Sequence, residues 1–181
     1  MKLRNSEERY AAVAVAMHWL VAAAVFGLFA LGLWMTELTY YDRWYRLGPW
    51  WHKGIGVMLL ALVFLRLIWR ATGRRPAPAA GHRLWERRVA ALAHGLMYLL
   101  LLAIPVSGYL ISTADGRALE VFDWFAVPAL PAAMENQEDV AGSVHLALAV
   151  GLVALAAVHA LAALKHHFID KDRTLLRMLG R

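Results

Sequence analysis

Eight histidines, at positions 18, 52, 82, 94, 145, 159, 166 and 167, and no cysteine set the chemistry open to this chain. Without thiols there is no disulfide, no thiolate zinc site, no iron–sulfur cluster and no covalently attached haem. Imidazole chemistry remains: a neutral ring nitrogen ligates transition metals, and the same ring moves protons near neutrality. His145 and His159 lie 14 residues apart, as do His52 and Arg66. At about 100° per residue that interval returns to within roughly 40° of one helix face, and at about 1.5 Å rise it separates two levels by some 21 Å. One helix can thus present two ligands, one above the other.

The elements that must position these rings are apolar. Of 181 residues 61% are hydrophobic and 18% charged, against roughly 45–50% and about 25% in a water-soluble domain. Four apolar stretches, residues 11–35, 51–68, 89–112 and 140–164, are each near the roughly 20 residues a helix needs to cross a bilayer core. The expectation is an all-α integral membrane four-helix bundle forming a single domain over residues 1–181. The first stretch lacks an A-x-A-like exit before Met35 and contains His18-Trp19, so it reads as a permanent span rather than a signal peptide.

The net charge of +6 has a topological reading, not a nucleic-acid one. Basic residues cluster before the first span (Lys2, Arg4, Arg9), around the second connection (Arg70, Arg74, Arg75, Arg83, Arg87, Arg88) and in the tail (Lys165, Lys171, Arg173, Arg177, Arg181). The other connections hold Arg43, Arg46, Lys53 and Arg117. Positive loops stay cytoplasmic, so both termini are expected inside. Residues 74–82, with Pro76, Pro78 and Gly81, read as a short stiff linker. The longest connection, 113–139, mixes Phe122, Trp124 and Phe125 with two prolines, as either an interfacial lid or membrane-interface anchoring would.

With alternating helix directions, the depth of each histidine follows from its place in its span. His52 and His145 share the outer level; His18 and His159 share the inner level, and His94 falls at that inner level too. His82, His166 and His167 sit at or beyond helix ends, where a solvated ring is the plain reading. Two stacked levels of imidazoles suit two haem b groups, planar cofactors that need no cysteine. Small residues (Gly142, Gly151, Ala154 on the last span; Gly54, Gly56 on the second) make room for flat rings, as they also would for ordinary close helix packing. Spacing alone does not choose two ligands among His18, His94 and His159. Arg66 lies at the same level, where it either meets a haem propionate or snorkels to headgroups.

The residues reached so far resemble the bacterial cytochrome b561 family over nearly the whole chain. The resemblance rests on Met17-His18-Trp19-Leu20, His52-Lys53-Gly54 with Gly56, Arg66-Leu67, Ala93-His94-Gly95, Tyr98, Ile104-Pro105-Val106-Ser107-Gly108, His145, His159 and the tail from His166 to Met178. It implies a bacterial inner-membrane protein with two haems, the outer bound by His52 and His145 and the inner by His18 and His159. Within the family the chain looks most like members that oxidise superoxide at the periplasmic face and pass its electron to ubiquinone.

Two imidazoles per iron leave no open coordination position, so the chemistry expected is electron relay rather than oxygen activation. Arg43, Arg46 and Lys53 are candidates for an outer cationic mouth that steers an anion, or else partners for propionates and lipid phosphates. A quinone at the inner level needs hydrogen-bond partners and protons, and His94 and His166 are the nearest suitable groups. A haem-bearing anchor that relays electrons for a larger soluble enzyme is the alternative. An ion transporter is disfavoured, because the spans carry no aspartate or glutamate apart from Glu37 at an outer end.

Overall fold

A computed structural model describes residues 9–73 and 83–180. The chain forms α1 (Ala12–Met35), α2 (Leu47–Thr72), α3 (Leu84–Ser112), a hairpin of β1 (Leu119–Val121) and β2 (Phe125–Val127), α4 (Gln137–Phe168) and a short α5 (Thr174–Met178). The first three helices and α4 are long and apolar enough to cross a membrane. The linker at 74–82, with His82, lies outside the described residues, as do Lys2, Arg4 and Arg181.

α1 coincides with its apolar stretch to within a residue, whereas α2, α3 and α4 overrun theirs. α2 begins at Leu47, tolerating Pro49 because the first-turn amides have no intrahelical acceptor to lose. α4 has 32 residues, about 48 Å at 1.5 Å each, so it extends past a core of about 30 Å at both ends. Hydropathy marks only the part of a helix in hydrocarbon. Pro105 lies inside α3 without ending it, as membrane helices allow when neighbours take up the freed backbone groups.

Contacts divide the bundle into two helix pairs. α1 packs along α2 and α3 along α4, while the contacts between the pairs are sparse. Val21, Leu59 and Val63 form a small buried cluster with Ala24, Leu28, Tyr98 and Leu101 around it. On α2 this cluster falls between His52 and Arg66, so an apolar layer separates two polar levels. Large apolar side chains such as Leu20, Leu65, Leu99 and Leu161 face outward, the surface a bilayer covers.

The long connection is structured. β1 and β2 pair antiparallel, Leu119 opposite Val127 and Val121 opposite Phe125. The loop between them places Phe122 (φ 49) and Asp123 (φ 57) in the left-handed region, which suits a tight hairpin but is rare for phenylalanine. Packing of the ring offsets that strain: it lies 4.9 Å from Trp50 and 5.5 Å from Trp51, centroid to centroid. A Cβ at Gly54 would fall 2.5 to 2.7 Å from ring atoms of Phe122. The glycine is therefore the notch for the ring. Gly54→Ala is expected to lift Phe122 and destabilise the hairpin by about 1–3 kcal/mol, the usual scale of overpacking. Faster proteolysis within residues 113–136 checks this; an unchanged cleavage rate contradicts it.

Further bonds hold the connection on the bundle. The Tyr109 hydroxyl donates to the Pro128 carbonyl (2.7 Å) and accepts from the Leu130 amide (3.0 Å). The Gln137 amide donates to the Leu110 carbonyl (3.0 Å) and accepts from the Ala133 amide (2.9 Å). At the opposite end, Trp19 Nε1 donates to the Met178 carbonyl (2.8 Å), fastening α5 to α1.

Candidate functional site

The histidines meet in two places at opposite ends of the bundle. At the hairpin end, His52 of α2 and His145 of α4 face each other with ring centroids 6.1 Å apart. At the end holding the start of α1 and the end of α4, His18 and His159 have centroids 6.3 Å apart. His94 of α3 lies closer to His159, at 5.2 Å in an edge contact. Each facing pair bridges the two helix pairs, across the seam between them.

These separations test whether the rings fit a haem. A nitrogen–metal bond of about 2.0 Å on each side, plus about 1.1 Å from nitrogen to ring centre, sets two trans imidazoles about 6.2 Å apart. The separations of 6.1 and 6.3 Å accommodate that span, and are equally those of two rings in edge contact. The 5.2 Å between His94 and His159 is about 1 Å short of it, the distance of two rings packed directly together. Among the described residues no cluster of three or more His, Asp or Glu could hold a bare metal ion. A planar cofactor that asks the protein for only two ligands suits such pairs; a metal needing four protein ligands does not.

The surroundings of each ring decide which nitrogen is available. His145 Nδ1 lies 3.1 Å from the Ile104 carbonyl and 3.0 Å from Ser107 Oγ, which leaves Nε2 for a metal. The Nδ1 of His52 is buried without a hydrogen-bond partner, and its Cε1 edge backs onto Gly32, where a Cβ would come within 3.1 Å. His18 differs. Its Nδ1 lies 3.0 Å from the Arg66 guanidinium, which can only donate, so the ring proton sits on Nε2. Giving Nε2 to a metal would move that proton to Nδ1 and release Arg66 to another acceptor. The guanidinium also lies 5.9 Å from the centre of the Tyr98 ring, and that of Arg70 lies 5.5 Å from it.

The remaining sequence candidates lie apart from these pairs. Arg43 and Arg46 are exposed on the segment before α2, and Lys53 is half-buried in its second turn, next to His52 in sequence. His166 belongs to a clasp at the chain's far end. Its Nδ1 is 2.6 Å from Asp170 and 3.7 Å from Asp172, while Lys165 reaches both Asp170 (2.7 Å) and Glu86 (3.2 Å). The clasp joins the start of α3, the end of α4 and the tail. Residue spacing did not single out Ser107 or Gly32 as neighbours of these rings, though Ser107 falls within the quoted motif at 104–108.

Hydrogen bonds from Lys165, then His166, hold the Asp170 carboxyl below its ordinary pKa. A depressed carboxylate contributes stability in full above its unfolded value, and loses it as pH falls through the folded one. The clasp should therefore be intact at neutral pH and open only in acid, below the usual carboxylate range. Asp170→Asn should mimic the acid form at neutral pH, read as faster trypsin cleavage at Lys171 and Arg173. Equal cleavage rates in the two proteins would contradict it.

A bundle of four membrane-length helices with histidines paired across it is the architecture of a membrane-embedded helical cytochrome. Residues 9–181 match the family model for prokaryotic cytochrome b561. Cytochrome b561 homolog 2 of Escherichia coli strain K12 is 49% identical over 181 residues, covering 100% of this chain and 96% of that protein. The probable superoxide oxidase CybB of Yersinia pestis is 31% identical over 96% of this chain and 97% of its own length. Cytochrome b562 of Cereibacter sphaeroides is 29% identical over 97% and 98%. The chain belongs to the prokaryotic cytochrome b561 family, multi-pass electron-transfer oxidoreductases of the bacterial inner membrane that bind haem b.

Proposed function

We propose that the protein is a superoxide:ubiquinone oxidoreductase with two haem b groups. His52 and His145 hold the outer haem, and His18 and His159 the inner one. The observation that supports the two-haem pairing is the pair of centroid separations, 6.1 and 6.3 Å, both near the span of two imidazoles across one iron. The haems, when bound, supply one-electron relay chemistry at two depths of the bilayer. The charge distribution supports a cytoplasmic position for the end with both termini and a periplasmic one for the β hairpin.

The protein's own groups then have distinct tasks. At the periplasmic end, Arg43, Arg46 and Lys53 attract the anion, an effect that weakens with ionic strength. The apolar cluster of Val21, Leu59 and Val63 keeps water and ions from joining the two levels. At the cytoplasmic end Arg66, which bonds His18 Nδ1, would be free to hold a haem propionate if His18 turned its Nε2 to iron. His94 and His166 serve a quinone there, and the pairing of His166 with Asp170 and Asp172 offers a proton path to it. The balance closes: two superoxide anions become two dioxygen molecules, and their two electrons with two protons reduce ubiquinone to ubiquinol. The 31% identity with the probable superoxide oxidase CybB supports the choice of donor.

Stopped-flow mixing of the purified protein with superoxide, with added ubiquinone and no other subunit, tests the proposal. Rapid haem reduction followed by ubiquinol formation is expected. Reduction only when a soluble dehydrogenase is supplied would overturn it in favour of a haem-bearing anchor.

A further inference from the structure

The segment Ile104-Pro105-Val106-Ser107-Gly108 on α3 contributes no proposed ligand, yet it lies against the ring of His145. The Ser107 hydroxyl donates to the Ile104 carbonyl (2.8 Å), so towards His145 Nδ1, 3.0 Å away, it presents a lone pair. The same carbonyl lies 3.1 Å from that nitrogen. Two acceptors at Nδ1 keep the ring proton there and the Nε2 lone pair open. Gly108 completes the cradle: a Cβ at this position would lie 3.2 Å from His145 Cε1. Ser107 is 5% exposed, which shelters these bonds from water. The facing ring is held differently, since His52 Nδ1 is buried with no partner and its edge rests on Gly32.

We propose that Ser107, acting with the Ile104 carbonyl, is a positioning residue for His145 that fixes its tautomer and enriches it as an axial ligand of the outer haem. This rests on the ligand pairing of the proposed function. An imidazole whose distal N–H is held by an acceptor donates more strongly to its metal and favours the ferric state. Hydrogen-bond support at the outer level thus falls on the α4 ligand alone.

The test is spectroelectrochemical titration of the purified holoprotein carrying Ser107→Ala, with Ser107→Thr as the variant that keeps the hydroxyl. In Ser107→Ala the outer haem should lose up to about tenfold of its ferric preference, a rise of about 59 mV for a one-electron couple, with the inner haem unmoved. Ser107→Thr should restore the wild-type value. Loss of the outer haem alone in Ser107→Ala, recovered in Ser107→Thr, supports the same role. Unchanged potentials in Ser107→Ala, or equal shifts in both variants, would overturn it. Haem content of His145→Ala separates the two failures. If that variant keeps both haems the pairing itself is wrong; if it loses one while Ser107→Ala changes nothing, only the role of Ser107 falls.

Discussion

His145→Ala and His52→Ala are each expected to halve the haem content, from about two per chain to about one, while the spectrum of the inner haem persists. The two rings come from different helix pairs and face each other at 6.1 Å. Neither has another histidine within ring contact among the described residues, so no imidazole stands ready to take over at the outer level. A neutral alanine there also leaves a gap in a bundle that packs sparsely between its halves. Quantitative haem extraction with the visible difference spectrum checks the expectation. Two haems with unchanged spectra in both variants would sink the outer assignment.

At the inner level the discriminating comparison is His18→Ala against His94→Ala. His159 contacts both rings, so its removal separates nothing. If the 6.3 Å pair is the one that spans an iron, His18→Ala loses the inner haem and His94→Ala keeps it. A His94→Ala protein with two haems should still respond in its ubiquinol-forming rate, because the proposed quinone contact is gone. The reverse pattern, haem lost with His94 and kept without His18, would reassign the ligand and leave Arg66 with a structural partner in His18.

Much of this protein is legible in its sequence for a simple physical reason. A bilayer imposes a length and a polarity, so four spans follow from local apolar runs, and where the arginines and lysines fall sets the direction expected for them. Depth is equally local, because helical rise converts position in a span into height, and His18, His94 and His159 emerge at one level with His52 and His145 at another. For α2, α3 and α4 the apolar stretches are shorter than the helices, which continue into segments that polarity alone does not mark. The hairpin over residues 119–127 is not legible in the sequence of the long connection, because its three-residue strands carry too little pattern to announce themselves.

Sequence by itself settled that this is a four-span membrane protein without thiols, whose intramembrane histidines stack at two heights. It left the azimuth of each ring open, because 3.6 residues per turn relates positions on one helix and says nothing about which neighbour it turns towards. Only the tertiary structure decided that His159 meets His18 at 6.3 Å and His94 at 5.2 Å, that Gly54 is the notch for Phe122, and that Ser107 reaches His145 from 38 residues away. Such contacts depend on how helices pack across the bundle, a long-range balance of shape and hydrogen bonding that no single segment contains.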